Sequence, residues 1–311
     1  MLVYYPDAEQ VARYAGLVRA PRARVTLHVA SDLEQALAVI ADTDVLYAWK
    51  SPASLYPHAA RLAWLQVMGA GVDWAFVPEL PERVTVTRAP GVFGPWMAEY
   101  VLAWVLWVTQ RGAHYQTAQR ERRWSDEIMP ERLGGKTLAI VGLGEIGHTI
   151  ARYARSCGMR VVGASRSGRP VPGVERVVRV ASLHRVLGMA DFVVLTVPLT
   201  AETRGTIGDR ALAAMRPTAW LVNIARGPVV DERALVAALE ARRIGGAILD
   251  VFDEEPLPPD HPLWALPNVV ITPHVAGPST PEELTPIFNE NLARWLAGRP
   301  LHHVVDRGRG Y

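Results

Sequence analysis

Thr137-Leu138-Ala139-Ile140-Val141-Gly142-Leu143-Gly144-Glu145-Ile146-Gly147 is the stretch from which the fold is read. A short apolar run, rich in strand-forming residues, meets three glycines and then a helical pattern. That sequence of strand, glycine turn and helix start makes a cradle for a dinucleotide pyrophosphate. Gly142 permits the tight turn, Gly144 lets the backbone approach the phosphates, and Gly147 lets the helix pack closely. The N–H groups and dipole of the new helix, beginning at Glu145 and Ile146, favour the phosphate charge.

The next strand, Arg160 to Ala164, decides between the two nicotinamide cofactors. About 20 residues beyond the glycines, an NAD-binding chain carries an acid for the ribose hydroxyls. Here the strand runs into Ser165-Arg166-Ser167-Gly168-Arg169, with no carboxylate. Hydroxyls and guanidinium groups suit a 2′-phosphate that an acid would repel. The expected cofactor is NADP(H), with NAD possible, and Ser165, Arg166 and Ser167 are its candidate ligands.

Length and composition bound the rest. With 311 residues, half of them hydrophobic and 21% charged, the chain is expected to be globular and to hold two domains. A net charge of +2 without a basic block gives no electrostatic footprint for nucleic acid. The single cysteine, Cys157, cannot form an intrachain disulfide and fits a reducing compartment; it is expected to be packed near a helix end. No signal peptide is evident at the first residues, and the apolar stretch around Val101 to Val108 is too short to span a bilayer. A soluble cytoplasmic protein with no membrane partner and no metal is expected.

Strand patterns recur at Leu2 to Tyr5, Val25 to Val29, Val45 to Trp49, Trp64 to Met68 and Val84 to Thr87. Helical patterns lie between them, such as Asp7 to Val18 and Asp32 to Ala41, the latter with Ser31 as N-cap. A second series runs through Thr137 to Val141, Arg160 to Ala164, Phe192 to Val197, Ala219 to Ile224, Ala247 to Val251 and Val269 to Thr272. Alternation of this kind predicts α/β architecture with parallel sheets. Met97 to Gln119 reads as one long helix with more apolar surface than a single stripe needs. Pro281 to Leu296 reads as the last helix, closed by Gly298.

Three predicted strand ends carry polar residues, where open α/β sheets place ligands. They are Asn223-Ile224-Ala225-Arg226-Gly227, Asp250-Val251-Phe252-Asp253-Glu254-Glu255-Pro256, and Thr272-Pro273-His274-Val275-Ala276-Gly277. Taken singly, a strand-end arginine suits a surface ion pair, an acidic run a solvated loop and a lone histidine a structural role, although an arginine can also hold a carboxylate bidentately. A histidine can also exchange a proton near neutral pH, and a neighbouring glutamate would orient the ring and stabilise its charged form.

Together these segments resemble the D-isomer-specific 2-hydroxyacid dehydrogenases. The similarity extends over nearly the whole chain, through Gly69-Ala70-Gly71-Val72-Asp73, Ala89-Pro90-Gly91-Val92, Pro198-Leu199-Thr200-Ala201-Glu202-Thr203-Arg204 and His261-Pro262-Leu263-Trp264. The resemblance implies Arg226, Glu255 and His274 as the catalytic trio; Glu255 is preferred to Glu254 because it directly precedes the proline. It implies that the N–H groups of Ala70 and Gly71, with Arg226 and His274, bind the substrate. Asp250 resembles the family aspartate near the nicotinamide, and Pro198, Thr203, Ala225 and Gly277 join the glycine turn as cofactor-binding positions. Lys50 closes a strand and reads as a solvated surface lysine.

The implied fold has two Rossmann-like domains: a discontinuous, flavodoxin-like substrate domain (1–97 and 282–311) and an inserted dinucleotide-binding domain (98–281). The implied activity is NADPH-dependent reduction of glyoxylate or hydroxypyruvate to the D-2-hydroxy acid by a homodimer. Two alternatives stand beside it. One is an NAD-dependent dehydrogenase of lactate, phosphoglycerate or phosphite type, and the other is a dinucleotide-sensing corepressor-like protein. Two departures bear on the substrate. Arg88 stands where many members have an amide side chain, and Gly277 where some hydroxypyruvate-reducing relatives have a serine.

Overall fold

The computed structural model describes residues 1–310 and falls into two compact units. One comprises Met1–Phe93 and the segment from Ser279 onward; the other is Gly94–Pro278.

The first unit begins with β1 (Leu2–Tyr4), α1 (Ala8–Leu17), β2 (His28–Ala30), α2 (Leu33–Ile40), β3 (Val45–Ala48), β4 (Trp64–Val67) and β5 (Thr85–Thr87). All neighbours pair in parallel, in the order β2-β1-β3-β4-β5. This is the flavodoxin-like doubly wound order. Asp7 caps α1 by accepting from Gln10 N at 2.8 Å. The cap of α2 is Asp32, which accepts from Gln35 N at 2.8 Å, and not Ser31, whose own N–H donates to the Gln35 side chain. Strand β2 starts later than its β-branched run suggests because Val25 N donates to Pro21 O in a preceding turn.

The second unit contains α3 (Phe93–Thr109), α4 (Gly112–Arg120), β6 (Thr137–Val141), α5 (Glu145–Ser156), β7 (Arg160–Ser165) and β8 (Arg176–Arg179). It continues with α6 (His184–Leu187), β9 (Phe192–Leu195), α7 (Asp209–Ala213), β10 (Trp220–Asn223), α8 (Glu232–Glu240), β11 (Gly246–Leu249) and β12 (Val269–Ile271). Its seven strands are parallel, in the order β12-β11-β10-β9-β6-β7-β8. The chain winds outward from β6 in both directions, so the carboxyl end of β6 is the topological switch point of a Rossmann sheet. Alternate residues of β6 serve opposite helix layers: Ala139 and Val141 join one core cluster, Leu138 and Ile140 another.

The predicted single helix over 97–119 is two helices. Arg111 takes a left-handed backbone (φ 58°), and a Cβ on Gly112 would lie 2.3 Å from the Trp107 ring. The turn therefore tucks glycine against the indole, where no side chain fits. Cys157 is exposed at the end of α5, contrary to the expectation that it is packed. The C-cap position turns its side chain away from the buried face formed by Ile150, Ala151 and Ala154. Strand β8 was not anticipated, because it is a short edge strand with an arginine at each end. The last helix, α9 (Pro281–Leu296), returns the chain to the first unit behind a capping box of Thr280 and Glu283. Among the described residues no helix is long and apolar enough to cross a membrane.

Candidate active site

The glycine turn lies between β6 and α5. Gly142 has φ +107°, and a Cβ there would stand 2.8 Å from the Thr196 backbone carbon. A Cβ on Gly147 would stand 2.1 Å from the Gly142 carbonyl oxygen, so only glycine lets the first turn of α5 sit on the loop. Gly144 is the N-cap, and a Cβ there would meet nothing within 4 Å. It faces open space at a helix N-terminus, with the dipole and the first-turn N–H groups of Glu145, Ile146 and Gly147 directed there. A pyrophosphate fits this donor set, and neither Gly142 nor Gly147 tolerates a side chain.

At the end of β7, Ser165 Oγ accepts from Gly168 N at 3.1 Å and closes a tight turn. Ser167 Oγ accepts from Arg169 N at 3.3 Å, and Arg166 is exposed. Strand β8 puts Arg179 in register with Ser165, and its Cγ would lie 2.8 Å from a Cβ on Gly168. A second guanidinium stem thus packs on the loop, which sequence reading missed because β8 has no clear strand signal. No carboxylate stands in this turn. After β9, Thr203 Oγ1 donates to Pro198 O at 2.6 Å and accepts from Thr200 N at 2.8 Å, so the Pro198-to-Thr203 loop is internally tied.

The catalytic candidates follow three neighbouring strands. The ladder aligns Asn223 of β10 with Leu249 of β11 and Ile271 of β12. Arg226, the segment from Asp250 to Glu255, and His274 therefore follow the carboxyl ends of adjacent strands about 5 Å apart. Asn223 organises the first loop: its Oδ1 accepts from Ala225 N at 3.1 Å and its Nδ2 donates to Arg226 O at 3.0 Å. Arg226 Nη1 donates to Ala225 O at 2.7 Å, so the guanidinium folds back on its own loop. A Cβ on Gly227 would fall 1.9 Å from the Phe252 carbonyl carbon, so the β10 and β11 loops are in backbone contact.

His274 Nδ1 and Glu255 Oε2 are 2.7 Å apart, with their side chains 38% and 31% exposed. Glu255 Oε1 accepts from Phe252 N at 3.1 Å, so the carboxylate is held at both oxygens. The Glu255–Pro256 peptide is cis. With Nδ1–H donating to Glu255, Nε2 is the ring nitrogen left for proton exchange. His274 itself has φ 56°, a left-handed conformation uncommon outside glycine. Its N–H donates to Asp250 O at 2.8 Å and Thr272 O at 3.1 Å. Asp250 is 2% exposed, and its carboxylate accepts from Val275 N, Ala276 N and Thr272 Oγ1. Gly277 directly follows this clasp.

Ala70 and Gly71 belong to the first unit, in the loop after β4, and both are half-buried. Gly69 O accepts from Ala89 N at 2.9 Å, and a Cβ on Gly69 would lie 3.0 Å from the Trp49 ring. Lys50 is exposed, with Nζ 5.7 Å from the Trp49 ring centroid. Sequence reading gave no role to Tyr100, which lies in no motif, or to Thr272, which it quoted only as the start of the His274 segment; the two hydroxyls are 2.6 Å apart. Among the described residues no group of three or more His, Cys, Asp or Glu side chains is placed to hold a metal ion.

A family model described as D-isomer specific 2-hydroxyacid dehydrogenase, NAD binding domain, matches residues 102–276. Glyoxylate/hydroxypyruvate reductase A of Serratia proteamaculans is 31% identical, covering all of this chain and 99% of its own length. Glyoxylate reductase of Thermofilum pendens is 37% identical, over 88% of this chain and 84% of its own. Among solved structures, the NADPH-dependent glyoxylate/hydroxypyruvate reductase of Sinorhizobium meliloti, in complex with NADP and sulfate, matches with a TM-score of 0.90. It is 31% identical, with 100% of this chain and 99% of that chain covered.

Proposed function

The chain belongs to the D-isomer-specific 2-hydroxyacid dehydrogenase family, and we propose that it reduces glyoxylate or hydroxypyruvate to the D-2-hydroxy acid with NADPH. The observation that carries the reading is the 2.7 Å pair of Glu255 and His274, which follow β11 and β12, next to the loop after β10 that bears Arg226. The acid-free β7 turn with Arg166 supports NADPH over NADH. The seven-stranded unit is assigned to the dinucleotide and the five-stranded unit to substrate contacts.

Bound NADPH would supply the hydride. Arg226 holds the substrate carboxylate bidentately and polarises the ketone. The N–H groups of Ala70 and Gly71, in the first unit, are assigned to substrate binding on the family resemblance. As charge develops on the ketone oxygen, His274 Nε2 delivers a proton to it, and Glu255 balances the imidazolium that does so. The left-handed backbone of His274 and the two-point grip on Glu255 hold this pair before substrate arrives, which lowers the ordering cost of the reaction.

Steady-state rates with a panel of 2-oxo acids, each with NADPH and NADH, test the reading. Glyoxylate and hydroxypyruvate should turn over, faster with NADPH. Absence of turnover with every 2-oxo acid overturns it. A homodimer in the cytoplasm completes the proposal; apolar side chains left exposed on the second unit support the dimer: Trp124 at 92%, Met129 at 70%, and Leu106 and Ile128 at about 40%.

A further inference from the structure

Next to His274, three side chains, from α3 and from the loops after β11 and β12, form one hydrogen-bonded chain within the second unit. Tyr100 OH, on α3, lies 2.6 Å from Thr272 Oγ1, which lies 2.6 Å from Asp250 Oδ1. Proton counting sets the direction. An ionised carboxylate only accepts, so the single hydroxyl proton of Thr272 goes to Asp250. The remaining bond then requires Tyr100 to donate to Thr272. Burial raises the Tyr100 phenol well above its usual range, and the Asp250 charge adds to this, so it stays a donor at neutral pH. The Tyr100 ring is itself fixed edge-on against Trp104, with centroids 6.2 Å apart.

Asp250 transmits this anchoring to the catalytic loop. Its Oδ1 also accepts from Val275 N, and its Oδ2 accepts from Ala276 N, both at 2.8 Å. These are the two peptide groups that follow His274, whose φ of 56° would relax without an external restraint. Among the described residues Thr272 is the side chain that donates to this buried carboxylate, and its bond fixes Asp250 in addition to the two amides it holds. We propose that Tyr100 and Thr272 are positioning residues: through Asp250 they hold the Val275–Ala276 amides and so keep His274 in its catalytic conformation. The kinetic half of this proposal rests on the reductase reading above; the conformational half does not.

The test uses the full-length chain with Thr272→Val, Thr272→Ser and Tyr100→Phe. Valine keeps the shape of threonine without the hydroxyl, and serine restores the hydroxyl. Amide exchange at Val275 and Ala276 should be about tenfold faster in Thr272→Val, in proportion to one buried hydrogen bond, with β6 unchanged. In the same variant kcat for glyoxylate with NADPH should fall about tenfold, while KM and NADPH affinity change by less than about twofold. Thr272→Ser should restore both, and Tyr100→Phe should show a smaller loss of about threefold. Unchanged exchange at the two amides overturns the proposal whether or not the protein turns over a 2-oxo acid. So does faster exchange with unaltered kcat, or a loss spread evenly over exchange, melting temperature and cofactor affinity. Faster exchange in a wild-type background that reduces no 2-oxo acid upholds the loop restraint and overturns the reductase reading instead.

Discussion

His274 combines a left-handed backbone, a 2.7 Å bond from Nδ1 to Glu255 and a ring only partly covered, which together suit a proton donor. Replacing it with alanine should lower kcat by about 10²–10⁴-fold while leaving the NADPH dissociation constant nearly unchanged. Fluorescence titration alongside turnover checks this; equal loss in both would mark a structural histidine. Arg166→Ala should weaken NADPH far more than NADH, because it removes a cation at the end of β7 where no acid stands. Unaltered NADPH affinity would sink the 2′-phosphate assignment. The residue types at these positions were legible because each follows a strand end, and strand ends are visible as breaks in apolar runs. The pairing of Glu255 rather than Glu254 rested on family resemblance. In the structure Glu255 is the one that meets the His274 ring. Lys50, exposed and lying near its neighbour Trp49, agrees with the plain surface reading.

At the scale of elements, the strand–turn–helix unit around Gly142 to Gly147 is the most sequence-determined part of the molecule. Its bounds, Thr137–Val141, are those read from the apolar run, since an interior parallel strand is apolar on both faces. Gly147→Ala would place a methyl 2.1 Å from the Gly142 carbonyl, so α5 must move off the loop. A stability loss of about 1–3 kcal/mol by denaturant unfolding is expected, together with weakened NADPH binding. A variant with wild-type stability and affinity would contradict the close packing. Elsewhere local pattern misled. The reading of 97–119 as one helix hides the turn at Arg111 because no proline interrupts the stretch and both flanks are helical, and β8 was invisible because an edge strand buries little. The capping box of α9 obeys the local rule, and Thr280→Ala should cost about 1 kcal/mol of stability, measured by the same unfolding.

The whole molecule is two parallel-sheet units, the first completed only when the chain returns through α9. Buried tyrosines are concentrated in that first unit. Burial pushes Tyr14 up to about 12 and raises Tyr47 and Tyr56 as well, above the value near 10 expected when unfolded. For groups raised in the folded state, the favourable contribution is complete below about pH 10 and is lost as pH rises toward 12 and beyond. Calorimetric melts should therefore show the first unit failing first as pH passes about 10; a melting profile flat across that range would contradict it. The alternating strand–helix order apart from β8 and the α3–α4 break, the glycine cradle and the chemical type at each strand end were determined by sequence alone, because strand, helix and turn signals are local. Which groups touch was decided only in three dimensions. Tyr100 and Thr272 are 172 residues apart, and their bond leaves no periodicity or motif in the chain. The same holds for the clasp of Asp250 on the amides after His274, which exists only because β11 and β12 lie side by side in register.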